Sequence, residues 1–338
     1  MKIVLFSSGL NNYDLSIKTY LNQNGHIVDH FSYRSNLYSS DFITRLKHRT
    51  HYKINDKYES DYWNACLIKK CKNLKPDLVF ILKGEIIYPE TLEWIKENTN
   101  AKIICWLMDV IKRYPEIERL LKYYDHMFTY EPDDVDYLRG LNSKTHYLPL
   151  AFDPKNFFQI EETEKKWDLS FIGTWSKNRE DFLIKVSKLL EKESLNIVFY
   201  LNHYSIFRPF TWQKWLRRKS IYRFFKNHEY FSLTQINMLF NQSRVCLNIH
   251  QDFTKNALNI RTFEILGSGA YQLIENFNST LKLLNDNSLI IRYNDPEDLV
   301  KKLKEILSNF ESKKYLNNNH TFEERLSQLF KIIKLDSN

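Results

Sequence analysis

The stretch that decides the fold is residues 168–179, DLSFIGTWSKNR. Residues 168–172 have the length and apolar character of a buried strand, Gly173 follows in a turn, and helical spacing begins near Asn178. A strand that passes through a short turn into an amphipathic helix is the repeating unit of a parallel α/β sheet. Because this unit opens in the middle of the chain, it predicts that a second domain starts here.

The same alternation of strands and helices extends in both directions from this stretch. In the first half, short apolar runs predict strands at Ile3–Ser7, His26–Tyr33, Leu78–Leu82, Ala101–Trp106, His126–Thr129 and Lys144–Leu148. In the second half, they predict strands at Asp168–Ile172, Asn196–Leu201, Arg244–Ile249, Ala270–Ile274 and Leu289–Tyr293. Helices are predicted at Asn178–Glu191, Leu233–Asn241, Ile260–Leu266, Asp295–Phe310 and Thr321–Ile333. We therefore expect two facing Rossmann-like domains with parallel sheets and a ligand-binding cleft between them.

Length and composition agree with this organisation. The chain has 338 residues, of which 43% are apolar and 27% charged, as in ordinary soluble proteins of two domains. No run approaches the roughly 20 apolar residues that span a bilayer, and the first residues lack signal-peptide character, so we predict a cytoplasmic protein. The four cysteines show no metal-binding spacing, which favours buried free thiols and no metal site.

The formal charge of +8 is concentrated in one segment, Ile206–Lys226, which contains seven Lys or Arg residues and no acid. A helical arrangement would place Trp212, Trp215, Leu216, Tyr222 and Phe225 on one side. Together with Arg217, Arg218 and Lys219, these rings suit an anionic membrane surface, at the inner face of the membrane, or an anionic acceptor. A helix that merely covers the core is the alternative, and single-stranded nucleic acid is the least favoured partner.

Two motifs carry candidate chemistry. At the turn after residue 172, backbone N–H groups at a helix start would form an anion site, and Lys177 and Arg179 would add positive charge. In residues 259–269, NIRTFEILGSG, Arg261 and Glu264 share a helix face, and the carboxylate could accept two hydrogen bonds from a ribose diol. Solvated first-turn cations and an intrahelical Arg–Glu pair on a solvated face remain the alternatives.

The order of the motifs resembles the CgeB-like glycosyltransferases, within the group 1 type glycosyltransferases of GT-B fold. The resemblance rests on Asn259-x-Arg261-x-Phe263-Glu264 followed by Gly269 and on the stretches 171–173, 293–299 and 320–325. In the first half, Trp106-x-x-Asp109 and residues 147–151, YLPLA, are similar to the family's N-terminal landmarks. The resemblance covers most of residues 100–330.

This resemblance implies an N-terminal acceptor-side domain over 1–150, a donor domain over 151–320, and a closing helix over 321–338 that packs back on the first domain. It also implies a donor site for a nucleotide-diphosphate sugar, with Glu264 on the ribose and no cofactor required. The predicted donor-binding residues are Gly173, Lys177, Arg179, His250, Asn256, Asn259, Arg261 and Glu264. Retaining relatives carry two Glu eight residues apart, but the earlier position here is Asn256, which weakens a retaining mechanism.

The resemblance thus implies transfer of a sugar to an acceptor hydroxyl, in the synthesis of a surface glycan, glycolipid or glycoprotein. The acceptor would be a glycan, a lipid-linked molecule or a protein. Glu264 and Asp109 are the predicted catalytic residues, and Asp109, which follows a strand in the first domain, is the candidate general base. A helix cap or turn is the alternative role for Asp109. A sugar-nucleotide epimerase of the same architecture and a degenerate binding module are the alternative functions.

Overall fold

The computed structural model of this chain describes residues 1–9, 13–33, 56–202, 222–227, 231–254, 256–276, 283–284, 288–311 and 320–335. The chain divides into two compact units. The N-terminal unit comprises Met1–Leu150 and Phe322–Asn338, and the C-terminal unit comprises Ala151–Thr321. Each unit contains one six-stranded sheet in which every paired strand is parallel. The α/β class and the parallel sheets predicted from the sequence are confirmed.

The sheet of the N-terminal unit has the strand order β2-β1-β3-β4-β5-β6. Its strands are β1 (Lys2–Ser7), β2 (Ile27–Ser32), β3 (Leu78–Leu82), β4 (Lys102–Leu107), β5 (His126–Thr129) and β6 (Thr145–Tyr147). All five residues of β3 are buried, as expected of a central parallel strand whose two faces are both covered. The helices that connect these strands are α1 (Tyr13–Gln23), α2 (Asp56–Leu74), α3 (Pro89–Asn98) and α4 (Pro132–Leu141), with short 3-10 helices at Ile111–Arg113 and Pro115–Tyr123.

The sheet of the C-terminal unit has the order β12-β11-β10-β7-β8-β9. Its strands are β7 (Trp167–Thr174), β8 (Ile197–Asn202), β9 (Phe225–Asn227), β10 (Ser243–Asn248), β11 (Tyr271–Glu275) and β12 (Ile290–Tyr293). Its helices are α5 (Lys177–Leu189), α6 (Leu233–Asn241), α7 (Ile260–Gly267) and α8 (Pro296–Ser308). All four helices begin at a side-chain cap, so their starts are encoded locally. The caps are Ser176, Ser232, Asn259 and Asp295.

The last helix, α9 (Phe322–Leu335), belongs to the N-terminal unit and packs on α1. Arg325 is buried and donates from Nε to the carbonyls of Pro149 and Leu150, at 3.2 and 3.4 Å. The Phe322 ring lies 6.2 Å from the Trp106 ring, measured between centroids. These contacts tie α9 to both the sheet and the end of the first segment of its own unit.

The structure describes only the last residues of the basic segment Ile206–Lys226, and their conformation differs from the predicted helix. Trp212, Trp215, Arg217, Arg218 and Lys219 lie outside the described residues. The expectation that Phe225 continues an amphipathic helix is wrong, because Phe225–Asn227 forms the edge strand β9 and Phe225 pairs with Phe199 of β8. Burial of Phe225 against the Phe199 ring, 5.6 Å between centroids, outweighs the helical spacing. Among the described residues, no helix is long and apolar enough to cross a membrane.

The cysteines are free thiols, as predicted. Cys71, Cys105 and Cys246 are buried, and Cys66 is partly buried. Burial raises the pKa of Cys71 to about 12 and that of Cys246 to about 11. Buried thiols of this kind behave as small apolar side chains and not as nucleophiles.

Candidate functional site

In the C-terminal unit the strand order reverses between β7 and β10. From β7 the chain adds β8 and β9 on one side, whereas β10, β11 and β12 lie on the other. The carboxyl ends of two such strands border a crevice, which is where open parallel sheets bind ligands. We call this place the C-terminal crevice. It is bordered by Thr174 at the end of β7 and Asn248 at the end of β10.

Arg179 spans the C-terminal crevice from the first turn of α5. Its Nη1 donates to the carbonyl of Thr174 at 3.0 Å, and its Nη2 donates to the carbonyl of Ile249 at 2.6 Å. The side chain is buried, and its Nε has no hydrogen-bond partner among the described residues. Burial lowers the pKa of Arg179 to about 10, with the charge of Glu275 opposing that shift, so the guanidinium stays positive at neutral pH. Arg179 therefore supplies fixed positive charge while it holds two strand ends together.

Gly173 allows this arrangement. A Cβ atom at Gly173 would lie 2.8 Å from Cζ of Phe171 and 3.4 Å from Nη1 of Arg179. The Arg179 guanidinium also lies over the Phe171 ring, 5.9 Å from its centroid. Any side chain at residue 173 would push into this contact, so Gly173 serves the close approach of Arg179 and Phe171.

His250, just past the end of β10, is held through both ring nitrogens. Its Nδ1 and its backbone N–H bond the Glu275 carboxylate, at 2.9 and 2.8 Å. The backbone N–H of Asn259 donates to Nε2 of His250 at 3.2 Å. Because Nε2 accepts, Nδ1 carries the proton and the ring is neutral. His250 therefore links the ends of β10 and β11 to the start of α7, and burial lowers its pKa against the opposing effect of Glu275.

This geometry makes the stability depend on pH. A His whose folded pKa is lowered takes up a proton more readily when unfolded, so its contribution is lost as pH falls below the unfolded value of about 6.5. We expect His250→Gln to show a smaller fall in melting temperature between neutral and mildly acidic pH than the wild type. Calorimetry of both proteins across this range measures the difference. Parallel curves for the two proteins would contradict a neutral buried His250.

The start of α7 is fixed by a network of amides. Asn259 caps the helix, accepting from the N–H of Thr262 at 3.0 Å, and its Nδ2 donates to Oδ1 of Asn248 at 2.8 Å. Asn248 in turn donates from Nδ2 to Oε1 of Gln272 at 2.8 Å. These bonds join the two strands β10 and β11 to the start of α7. An ordered helix start of this kind presents backbone N–H groups to an anion.

Arg261 and Glu264 form an ion pair on α7. Nη1 of Arg261 donates to Oε2 of Glu264 at 2.5 Å. The side chain of Glu264 is 3% exposed and that of Arg261 is 22% exposed, so the alternative of a pair on a solvated face is wrong. Burial raises the pKa of Glu264, and the charge of Arg261 opposes the rise. A buried carboxylate with one cationic partner is suited to accept further hydrogen bonds from a ligand.

The two remaining predicted donor-binding residues lie less deeply. Lys177 is the first residue of α5 and is exposed, and Asn256 is half-buried in the loop before α7. Gly173 lies within β7, not in a turn as predicted, and Lys177 adds an exposed charge beside the turn that follows β7. The structure therefore brings the predicted residues to the loops and helix starts that follow β7 and β10.

In the N-terminal unit the strand order reverses between β1 and β3. A cavity of about 170 Å³ lies at this point and is lined by Ser7, Asp14, Lys83 and Asp109 among others. Oδ2 of Asp109 accepts from Nη1 of Arg113 at 2.7 Å and lies 3.7 Å from Nζ of Lys83. Asp109 thus lies beside two cationic side chains. Asp109 is placed in a cavity at the carboxyl end of β4, and its role as a base stays a prediction.

A second polar cluster, which the sequence did not predict, borders this cavity. Asp14, Ser7 and His30 meet there: Asp14 accepts from the Ser7 hydroxyl at 2.5 Å and bonds Nε2 of His30 at 2.9 Å. Burial opposes ionisation of Asp14, but the bonds from His30 and Ser7 outweigh it and lower the pKa of Asp14. The signal available in the sequence was a glycine turn after a first strand, with an acid near the start of the following helix.

Comparison with known proteins identifies the class. Residues 179–331 match a protein-family model described as glycosyl transferase-like. This part of the chain is similar to that glycosyltransferase family. The match includes Arg179, His250, Arg261 and Glu264, and it confirms the resemblance drawn from the order of the motifs. No curated protein sequence matches the chain significantly.

Solved structures show the fold of this glycosyltransferase to be GT-B. Sucrose-phosphate synthase from Thermosynechococcus elongatus superimposes with a TM-score of 0.66 at 9% identity, covering 99% of this chain and 98% of that one. HepE from Anabaena, solved with UDP and glucose, gives 0.59 at 10% identity, covering 100% and 97%. UDP-GlcNAc 2-epimerase from Neisseria meningitidis, bound to UDP-GlcNAc, gives 0.61 at 8% identity, covering 99% and 100%. Identities this low show that the fold is shared, but they do not show which substrate this chain uses.

Proposed function

We propose that this glycosyltransferase moves a sugar from a nucleotide-diphosphate sugar to an acceptor hydroxyl, and that the donor binds at the C-terminal crevice. The observation that carries the proposal is the buried Arg261–Glu264 pair on α7, the helix whose start is fixed by Asn259 and His250. A carboxylate held in this way supports recognition of the two ribose hydroxyls. Arg179, whose guanidinium bonds the carbonyls of Thr174 and Ile249 at the ends of β7 and β10, supports recognition of the diphosphate.

The same groups account for the chemistry. When the sugar departs, negative charge grows on the nucleoside diphosphate, and preorganised donors stabilise it without reorientation. The helix starts at Ser176 and Asn259 offer N–H groups, and Arg179 and Lys177 offer positive charge. Arg179 also keeps its buried Nε donor unused among the described residues. A buried donor of this kind is satisfied at low cost by a ligand oxygen.

The acceptor side of the proposal rests on the N-terminal unit. Asp109 is the proposed general base for the acceptor hydroxyl, since it lies in a cavity at the carboxyl edge of its sheet. Asn256 occupies the position at which retaining relatives carry a second acid. This favours an inverting route, in which the acceptor oxygen attacks the sugar and the base removes its proton.

The proposed donor site is tested by a thermal-shift panel of nucleoside diphosphates and their sugars with the full chain. UDP and UDP-sugars come first because HepE, of the same fold, was solved with UDP. We expect one base to raise the melting temperature selectively, since a ligand that binds only the folded protein stabilises it. The absence of a shift with every nucleotide would contradict the proposal.

Lys177 provides a finer test of where the diphosphate lies. We expect Lys177→Ala to weaken nucleoside diphosphate binding about 3-fold to 5-fold and to leave nucleoside binding unchanged, because a helix-terminal charge acts on the phosphates. Lys185→Ala is the matched control, since Lys185 is exposed on the same helix farther from its start. Isothermal titration measures both ligands. Equal losses for diphosphate and nucleoside would show that Lys177 does not face the phosphates.

An epimerase of the same fold is the second candidate, because UDP-GlcNAc 2-epimerase superimposes over the full chain. The two functions differ in what happens to the donor alone. An epimerase converts the nucleotide sugar to its epimer without an acceptor, whereas a transferase leaves it intact or hydrolyses it slowly. Chromatography of the nucleotide sugar after incubation with the protein therefore decides between them.

A further inference from the structure

The N-terminal unit has a second cavity, of about 340 Å³, whose lining indicates the chemistry of its ligand. Four aromatic side chains form much of its wall, namely Tyr33, Trp63, Tyr88 and Tyr114. Tyr33 follows β2, Trp63 lies on α2, Tyr88 precedes α3, and Tyr114 lies between the two 3-10 helices. We call this space the aromatic cavity. Its size suits a ligand group of one sugar ring, and not a whole nucleotide sugar.

The charge of the aromatic cavity is opposite to that of the chain. Three glutamates line it, Glu59, Glu85 and Glu116, against one exposed guanidinium, Arg119. The Lys83 ammonium, 3.5 Å from Oε1 of Glu85, already pairs with one of these carboxylates. The whole chain carries a formal charge of +8, so this acidic lining is a local reversal. The Glu85 side chain is only 5% exposed. A carboxylate removed from water in this way attracts a cation more strongly than one at the surface.

The chain itself places an ammonium group against this wall. Nζ of Lys83 lies 4.3 Å from the centroid of the Tyr114 ring and 3.5 Å from Oε1 of Glu85. Lys83 adopts a left-handed backbone with φ of 79°, and Gly84 after it has φ of 86°. A side chain other than glycine rarely takes this conformation, and such strain is concentrated at functional sites.

The same lysine connects the aromatic cavity to the smaller cavity that holds Asp109. Lys83 lines the smaller cavity, where its Nζ lies 3.7 Å from Oδ2 of Asp109. Its ammonium also contacts Glu85 and Tyr114 of the larger one. The aromatic cavity and the cavity that holds Asp109 therefore border the same ammonium group.

We propose that the aromatic cavity binds an ammonium group of the acceptor, so that the acceptor is an amino sugar or a related amino alcohol. This inference rests on the proposed function only in naming the ligand an acceptor. Aromatic faces attract a desolvated cation through the ring quadrupole, and the carboxylates of Glu59 and Glu116 add Coulomb attraction. A neutral ring would gain only the apolar part of these contacts, and an anionic acceptor would be repelled.

The experiment compares two ligands that differ in charge at one position. D-glucosamine carries an ammonium group, whereas N-acetyl-D-glucosamine has the same ring with a neutral amide. Isothermal titration with the full chain, at a pH below the pKa of the amine, is expected to give at least roughly tenfold tighter binding for glucosamine. Tetramethylammonium, a cation without a ring, should compete with glucosamine.

Variants assign the binding to this cavity. Glu116→Gln and Tyr88→Leu should each weaken glucosamine binding roughly tenfold and leave binding of N-acetyl-D-glucosamine unaltered. Glu90→Gln is the matched control, because Glu90 is exposed on α3 and does not line the cavity. The melting temperature and circular dichroism of each variant report that the N-terminal unit remains folded.

Each result decides the inference. Equal binding of the two sugars would overturn it in favour of a neutral carbohydrate pocket, and the absence of glucosamine binding would overturn it outright. Glucosamine binding that Glu116→Gln leaves unchanged would also overturn it. If the protein binds a nucleotide but does not bind glucosamine, the inference about the acceptor is wrong and the proposed donor site is supported. Glucosamine binding without binding of any nucleotide would support the inference and contradict the proposed function.

Discussion

Replacing Glu264 by alanine is expected to lower the affinity for UDP about 100-fold. The carboxylate is buried and paired with Arg261, and in the proposed complex it accepts two ribose hydroxyls. Hydrogen bonds to a charged group contribute about 1.5–3 kcal/mol each, so the loss of two of them accounts for a change of this size. Isothermal titration with UDP and with uridine measures it, and both ligands should lose affinity alike because they share the ribose.

The control for this substitution is Glu297→Ala, which removes an exposed carboxylate from the first turn of α8. It should leave both affinities unchanged. Glu264→Gln serves as a second variant, since it keeps the shape of the side chain beside Arg261. If either Glu264 variant is folded and binds uridine as the wild type does, Glu264 does not hold the ribose.

Arg179→Leu is expected to lower the thermal transition of the protein by several degrees and to abolish nucleotide binding. The guanidinium bonds the carbonyls of Thr174 and Ile249, so its loss leaves two buried acceptors and costs about 2–4 kcal/mol. Arg179→Lys should recover only part of the stability, because one ammonium cannot reproduce a planar fork of donors. Scanning calorimetry with and without nucleotide measures both effects.

Arg244→Leu is the matched control in the same sheet. Arg244 donates to Asp168 at 2.7 Å, but its side chain is 43% exposed, so its removal should cost at most about 1 kcal/mol. If the Arg179→Leu and Arg244→Leu proteins have the same melting temperature and the same affinity for nucleotide, Arg179 neither stabilises the C-terminal crevice nor binds the nucleotide.

The fold was predictable because its signals are local. Buried strands such as Leu78–Leu82 are continuous apolar runs, and α6 was predicted at its observed bounds, Leu233–Asn241. Ser232 caps that helix with a reciprocal capping box, which a short stretch of sequence encodes by itself. The prediction for Phe225, at the end of the basic segment, was wrong because a tertiary contact decides its conformation. Phe225 has a place in helical spacing, but the edge of the sheet gives it a buried position beside Phe199.

The candidate site was predictable only in part, for the same reason. The Arg261–Glu264 pair follows from a spacing of three residues on one helix. The bond between His250 and Glu275, and the meeting of Asp14 with His30, join residues from different strands and helices. Nothing in the local sequence fixes such pairs, because strand order sets them. Arg179 illustrates the limit: its position in a first turn was foreseen, whereas its bonds to two strand ends depend on β10 lying beside β7.

The position of α9 has a consequence for the order in which the protein matures on the ribosome. The C-terminal unit is one continuous segment, Ala151–Thr321, whereas the N-terminal unit needs Phe322–Asn338 to cover α1. Although the first 150 residues emerge first, their unit cannot close until α9 has been synthesised and Arg325 has reached the carbonyls of Pro149 and Leu150. A nascent or prematurely terminated chain would therefore carry a complete C-terminal unit beside an N-terminal unit with an uncovered apolar face. Such a face is a substrate for chaperones and proteases.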